Sequence, residues 1–82
     1  MNSLAEKEYA MSVTTHSARI TGPVVYLAEG GSPREIPLGP CLIEEADGQP
    51  IDIVWGAQGQ RSVTLARDEV EAAKHSGHLL ML

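Results

Sequence analysis

Two of the three histidines in this sequence, His75 and His78, are spaced as His-x-x-His. On a continuous helix this spacing places both imidazoles on one face, where the pair suits zinc or nickel. Gly77 interrupts such a helix, and no cysteine or glutamate at ligand spacing completes a four-ligand set. Glu71 and His16 add ligands only if the fold brings them close. We favour a solvated C-terminal turn, and keep as the alternative a small metal- or metabolite-binding protein, or accessory enzyme subunit, that uses His16, His75 and His78.

Four carboxylates flank an Asp-Gly sequence in the middle of the chain: Glu44, Glu45, Asp47 and Asp52. Such oxygen ligands suit a hard cation, but calcium loops place them at alternate positions before a fixed glutamate, and that spacing is absent. On a strand, Glu44 and Glu45 point to opposite faces, so the two do not act as a pair on one substrate. We interpret the group as the acidic rim of a hairpin, with a field that attracts a basic surface.

Cys41 is the single cysteine, and it is a poor candidate for a nucleophile. It lies in an apolar run between Pro40 and Leu42, where burial raises the pKa of a thiol and makes it unreactive. The glycine-rich segments that contain Gly30 and Gly56 lack the spacing that directs backbone amides at a phosphate. With no catalytic or cofactor signature, the chain is expected not to be an enzyme and to hold no cofactor.

Charge and composition exclude several classes of partner. The 82 residues include 6 basic and 11 acidic side chains, a net charge of -5, which repels nucleic-acid phosphates and anionic lipid. Aromatic residues are only 4% of the chain, too few for the stacking platforms of single-strand binding. Residues 42–82 hold three basic and seven acidic groups, a net charge of -4. We expect no direct contact with nucleic acid and a partner that is basic.

Cysteine usage and hydropathy indicate the compartment. One cysteine cannot form the intramolecular disulfides typical of small secreted domains. No apolar run approaches the ~18 residues of a membrane span, and the N-terminus lacks the layout of a signal peptide. The expected location is cytoplasmic, without membrane contact.

The elements that position these residues follow from periodicity and turn signals. Residues 1–10 are predicted to be a flexible or short helical arm, and residues 11–82 a single small β-barrel-like domain. Alternation from Met11 predicts an edge strand, and the apolar run 24–28 predicts a strand covered on both faces. After a turn at 29–33, two prolines delay regular pairing until about Cys41. Asp47-Gly48 predicts a hairpin into a strand over 51–55.

The C-terminal third continues this pattern. The strand over 51–55 puts Ile51, Ile53 and Trp55 on a core face, where Trp55 is either core or a binding anchor at the rim. After a glycine turn, residues 61–65 alternate again as a strand. Asp68 is predicted to cap a short helix that ends at Gly77. A last strand then covers residues 79–82.

The predicted fold class is mainly β (α+β): a small curled antiparallel sheet, or an SH3/Sm-like open barrel of five to six strands, with a short C-terminal helix before the last strand. The succession Ile51-Asp52-Ile53-Val54-Trp55, glycine turn, Arg61-Ser62-Val63-Thr64-Leu65 and short element from Asp68 resembles Sm-like and SH3-like small barrels. Among these are the small acidic bacterial proteins that inhibit transcription termination factor Rho. The resemblance covers about a third of the chain and assigns no functional residue.

By elimination, the sequence predicts a non-catalytic, small acidic interaction module. It binds another protein or self-associates as a homo-oligomer, through a sheet edge and its acidic rim. The predicted partner-binding residues are Glu44, Glu45, Asp47 and Trp55.

Overall fold

The computed structural model describes residues 13–82. Within this range the chain forms seven strands, a short 3-10 turn at Glu29–Gly31 and one α-helix. The strands and the helix, in chain order, are β1 (Thr14–Ile20), β2 (Val25–Leu27), β3 (Pro33–Glu35), β4 (Gly39–Glu45), β5 (Ile51–Trp55), β6 (Arg61–Leu65), α1 (Arg67–Ser76) and β7 (Leu79–Met81). The predicted N-terminal arm over residues 1–10 lies outside the described residues.

Five of these strands form one antiparallel sheet in the order β6-β5-β4-β1-β7, which is not closed into a barrel. The mainly β class and the helix before the last strand are confirmed. The prediction that the strand after Met11 lies at an edge is wrong, because β1 pairs with β4 on one side and with β7 on the other. The alternation within this strand does not show that it pairs with β7, because β7 comes from the far end of the chain.

The two remaining strands, β2 and β3, form a separate antiparallel ribbon. At its base the Ile36 amide donates to the Val24 carbonyl oxygen at 3.0 Å, and both side chains are buried. The ribbon is covered on one face only, because Val25 and Leu27 are 53% and 71% exposed. The expectation of a strand over 24–28 covered on both faces is therefore wrong. The turn is shorter than the predicted range 29–33, because β3 begins at Pro33. The first residue of a strand is a position that tolerates proline.

The core lies on one face of the sheet, which we call the inner face. Ile43 and Ile53 face each other across β4 and β5, and both are 0% exposed. The predicted alternation is confirmed on β5, where Ile51, Ile53 and Trp55 are buried and the residues between them are half-buried. The helix contributes Val70 to the same cluster. The opposite face, which we call the outer face, carries Glu44, Asp52 and Thr64 in register.

The helix begins one residue before the predicted cap. Ala66, not Asp68, is the N-cap residue, and the Glu69 carboxylate accepts a hydrogen bond from the Ala66 amide at 3.0 Å. Because alanine has no side-chain acceptor, the cap has only one half of a capping box, the hydrogen bond that the Glu69 carboxylate accepts. At the other end Gly77 has φ 82°, the left-handed stop that the sequence predicts. Within residues 13–82, no helix combines the length and apolar character needed to cross a membrane.

Candidate functional site

Two carboxylates face each other on neighbouring strands of the outer face. Glu44 on β4 is the direct partner of Asp52 on β5, and Asp52 is in turn the partner of Thr64 on β6. The Thr64 hydroxyl donates a hydrogen bond of 2.6 Å to Asp52 Oδ1. Like charges directly opposite each other destabilise an antiparallel pair. The sheet therefore holds two acids together at a free-energy cost.

These two residues form one wall of a cavity of about 300 Å³ beside the β4–β5 hairpin, which we call the acidic pocket. The pocket has both carboxylate and apolar walls, and no lysine or arginine of residues 13–82 lines it. Its lining residues are Val13, Glu44, Glu45, Ala46, Gln49, Pro50, Asp52 and Thr64. A cavity of this chemistry accommodates a cationic group that carries an aliphatic stem.

Glu45, the third carboxylate of the acidic pocket, already has Arg67 and His16 beside it. Arg67 Nη1 lies 3.5 Å from Glu45 Oε1, and His16 Nε2 lies 3.8 Å from Glu45 Oε2. Arg67 also donates from Nη2 to the Ala46 carbonyl oxygen at 2.6 Å, which ties the helix to the hairpin. Within residues 13–82, no lysine, arginine or histidine lies within ion-pair distance of Glu44 or Asp52. The charge left for a partner is therefore that of Glu44 and Asp52.

The structure separates the predicted partner-binding residues. Glu44 and Glu45 line the acidic pocket, whereas Asp47 is exposed in the turn and does not line it. Trp55 is only 9% exposed and belongs to the inner face, with its ring centroid 6.1 Å from that of Tyr26. Arg61 lies over the Trp55 ring at 5.9 Å. Trp55 therefore lies on the face opposite to Glu44.

The three histidines occupy different places in the fold. His16 is on β1 beside Glu45, and His75 is exposed in the last turn of the helix. His78 Nδ1 lies 2.8 Å from the Pro23 carbonyl oxygen, which can only accept, so this nitrogen is the donor. Glu71, proposed above as a further ligand, pairs with Lys74 at 3.2 Å. Among residues 13–82, no three His, Cys, Asp or Glu side chains are grouped so as to hold a metal ion.

Cys41 is 6% exposed on the inner face, and burial raises the pKa of its thiol above the ordinary value of 9.0. At pH 8 we expect the folded protein to react with a thiol reagent at least about tenfold more slowly than the urea-unfolded chain. Absorbance of the released chromophore measures both rates. Equal rates in the two states would contradict the placement of this thiol in the core.

The same raised pKa has a consequence for stability. The neutral thiol is favoured in the folded state, so its contribution is present below pH 9.0 and is lost as the pH rises through the higher folded-state value. We expect the stability difference between wild type and Cys41→Ala to shrink from pH 7 to pH 10.5, as measured by urea unfolding.

The predicted partner-binding residues did not include Asp52, which was assigned only to the acidic rim of the hairpin, or Thr64. A usable signal was present: a hairpin centred on Gly48 pairs residues that lie equally far before and after it, which places Glu44 opposite Asp52. Val13 and Pro50 form part of the apolar wall of the acidic pocket, and the hairpin symmetry does not predict their position there. Comparison with protein families, with curated proteins and with solved structures finds no match in any of the three.

Proposed function

We propose that this protein is a non-catalytic, acidic interaction module, and that the acidic pocket takes a cationic side chain of a protein partner. The observation that carries the proposal is the juxtaposition of Glu44 and Asp52 on neighbouring strands, with no cationic side chain of residues 13–82 within ion-pair distance of either. Opposed like charges cost roughly 0.2–1 kcal/mol relative to a neutral pair. An arriving cation relieves this repulsion, so binding recovers the cost.

The chemistry of the pocket favours arginine as the group it binds. A planar guanidinium presents several N–H donors in a fixed fork and can bridge two carboxylates, whereas an ammonium is a point charge. The apolar walls at Val13, Ala46 and Pro50 offer contact for the methylene stem. A basic protein segment therefore fits the pocket better than a free metal ion does.

Three further expectations remain part of this proposal. The net charge of -5 supports a module that avoids direct nucleic-acid contact. The absence of disulfide-forming cysteine pairs supports a cytoplasmic location. We also interpret the fold as SH3/Sm-like, because the β2–β3 ribbon packs Tyr26 against Trp55 and so covers the inner face of an open sheet.

Self-association is the second candidate, and the edge strand β7 favours it. Leu80 on β7 and Leu82 just beyond it are 53% and 75% exposed, and β7 has β1 as its strand neighbour within residues 13–82. A second copy could add to this edge and cover both leucines. Light scattering coupled to size-exclusion chromatography separates this candidate from the first, since it requires a molar mass near twice 8.8 kDa.

Neutralising the facing carboxylates in the variant E44Q/D52N tests the acidic pocket. With hexa-arginine as the probe, we expect the wild-type amide NMR signals of Glu44, Asp52 and Thr64 to shift, and the variant to bind at least about tenfold more weakly. The free variant is expected to be more stable than wild type by about 0.2–1 kcal/mol, because the like-charge pair is gone.

A variant with the same change in net charge is the matched control. D68N/E71Q removes two exposed carboxylates of the helix that do not line the pocket. We expect it to bind hexa-arginine nearly as well as wild type does. Equal weakening in both variants would mean that the probe responds to net charge alone, and the pocket would then have no special role.

A further inference from the structure

A second surface, which unlike the acidic pocket includes arginines, lies where the β2–β3 ribbon approaches β6. Two adjoining cavities of about 550 and 280 Å³ separate these elements, and Tyr26, Leu27 and Val63 line both of them. We call this feature the arginine groove, because Arg34 on β3 and Arg61 on β6 line its larger part. Two carboxylates line it as well: Glu29 lies at the larger cavity and Glu69 at the smaller one.

The two arginines are held beside an aromatic pair. Arg34 is the direct cross-strand partner of Tyr26, and Arg61 is the direct partner of Trp55 on β5. The Tyr26 and Trp55 rings are 6.1 Å apart, and Arg61 lies 5.9 Å from the Trp55 ring centroid. Neither guanidinium forms an ion pair with another residue in the range 13–82. In an acidic protein, two unpaired arginines on one groove mark a local site for negative charge.

The groove also offers an unpaired strand edge. Within the described range β6 has a single strand neighbour, β5, and lies at one end of the sheet. Alternate residues of such an edge present free N–H and C=O groups. An extended peptide can pair with these groups, and pockets beside the edge then select its alternate side chains. Leu27, 71% exposed, provides apolar contact on the ribbon side.

We propose that β6 accepts an extended acidic segment of a partner protein as an added strand, and that Arg34 and Arg61 bind carboxylates of that segment. Charge complementarity identifies the occupant: two arginines and one glutamate line the larger cavity of the groove, whereas carboxylates are the charged groups that line the acidic pocket. A basic segment is therefore directed to the acidic pocket, and an acidic one to the two arginines. Glu44 and Asp52 lie on the outer face of the sheet and do not line this groove, whereas Thr64 borders both sites.

The test uses the full chain and an eight-residue peptide of alternating threonine and glutamate. Trp55 is the only tryptophan, so its fluorescence reports a change in the position of Arg61. We expect a saturable fluorescence change, together with amide NMR shifts over 61–63, that weakens as salt is added. The same peptide with lysine in place of glutamate is expected to leave these signals unchanged. Binding of both peptides at β6 with equal affinity would overturn the proposal.

Two further comparisons separate strand addition from simple attraction between charges. R34Q/R61Q is expected to lose at least about tenfold in affinity, whereas R19Q, which removes an exposed arginine from β1 outside the groove, keeps the wild-type affinity. The second comparison uses two peptides that are N-methylated at every second amide, one at the odd-numbered and one at the even-numbered residues, so that both keep all their charges. If strand addition occurs, one of these two peptides binds and the other does not. Equal binding by both N-methylated peptides, or wild-type affinity in R34Q/R61Q, would reject the proposal that β6 accepts an added acidic strand.

Discussion

Replacing Ile53 with alanine is expected to lower the free energy of unfolding by about 3–4 kcal/mol. The Ile53 side chain is 0% exposed and has Ile43 and Val63 as its cross-strand partners, so its loss leaves a cavity among three strands. Domains of this size have small cores and lie near the low end of the usual 5–15 kcal/mol stability range. The variant should therefore be close to unfolded at 37 °C. Urea denaturation followed by the fluorescence of Trp55 measures the change.

Leu38→Ala provides the control for this prediction. Leu38 is 71% exposed, so the same kind of truncation removes little buried surface and should cost less than about 0.5 kcal/mol. If Ile53→Ala were as mild as Leu38→Ala, the Ile53 side chain would not lie in the core between β4 and β6. The described packing of the core would then be wrong.

Adding one methyl group at Gly22 is expected to destabilise the protein by about 1–3 kcal/mol. A Cβ atom at this position would overlap the His78 ring, with Cγ at only 2.8 Å. The ring has little freedom to move, because His78 Nδ1 hydrogen-bonds the Pro23 carbonyl oxygen and the His78 carbonyl oxygen accepts from the Thr21 amide. The substitution therefore pushes the bend between β1 and β2 away from β7.

A double-mutant cycle isolates the cause. In a His78→Ala background the ring is absent, so Gly22→Ala should cost much less than it does in wild type. Thermal unfolding of the four proteins, followed by circular dichroism, gives the coupling free energy. An identical cost in both backgrounds would mean that the methyl group acts through the backbone of Gly22 and not through His78.

The two proposed surfaces lie in different parts of the fold. The acidic pocket lies at the β4–β5 hairpin on the outer face, and the arginine groove lies between β6 and the β2–β3 ribbon. A partner that has one basic and one acidic segment can bind both surfaces at once, and the effective concentration of the second segment then raises its affinity. The separate peptide probes keep the two proposals distinguishable, since failure of one leaves the other intact.

Much of the local structure was accessible from the sequence. Alternation over 51–55 identified the buried residues of β5, and Asp47-Gly48 located the hairpin that brings β4 against β5. Gly77 ended the helix as predicted, because only glycine adopts the left-handed conformation there at low cost. These signals are local, because each depends on residues within one turn or one strand. The backbone preferences of those residues determine the local conformation.

The tertiary structure alone decided which elements meet. It moved β1 from the edge to the interior, because β7 returns from the far end of the chain to pair with it. It also divided the predicted partner-binding set, leaving Trp55 on the inner face and joining Glu44 to Asp52 on the outer face. The sequence determined where strands, turns and a helix form, since these follow from short-range periodicity. Pairing between distant segments depends on which arrangement buries the most apolar surface, and that is a property of the whole chain.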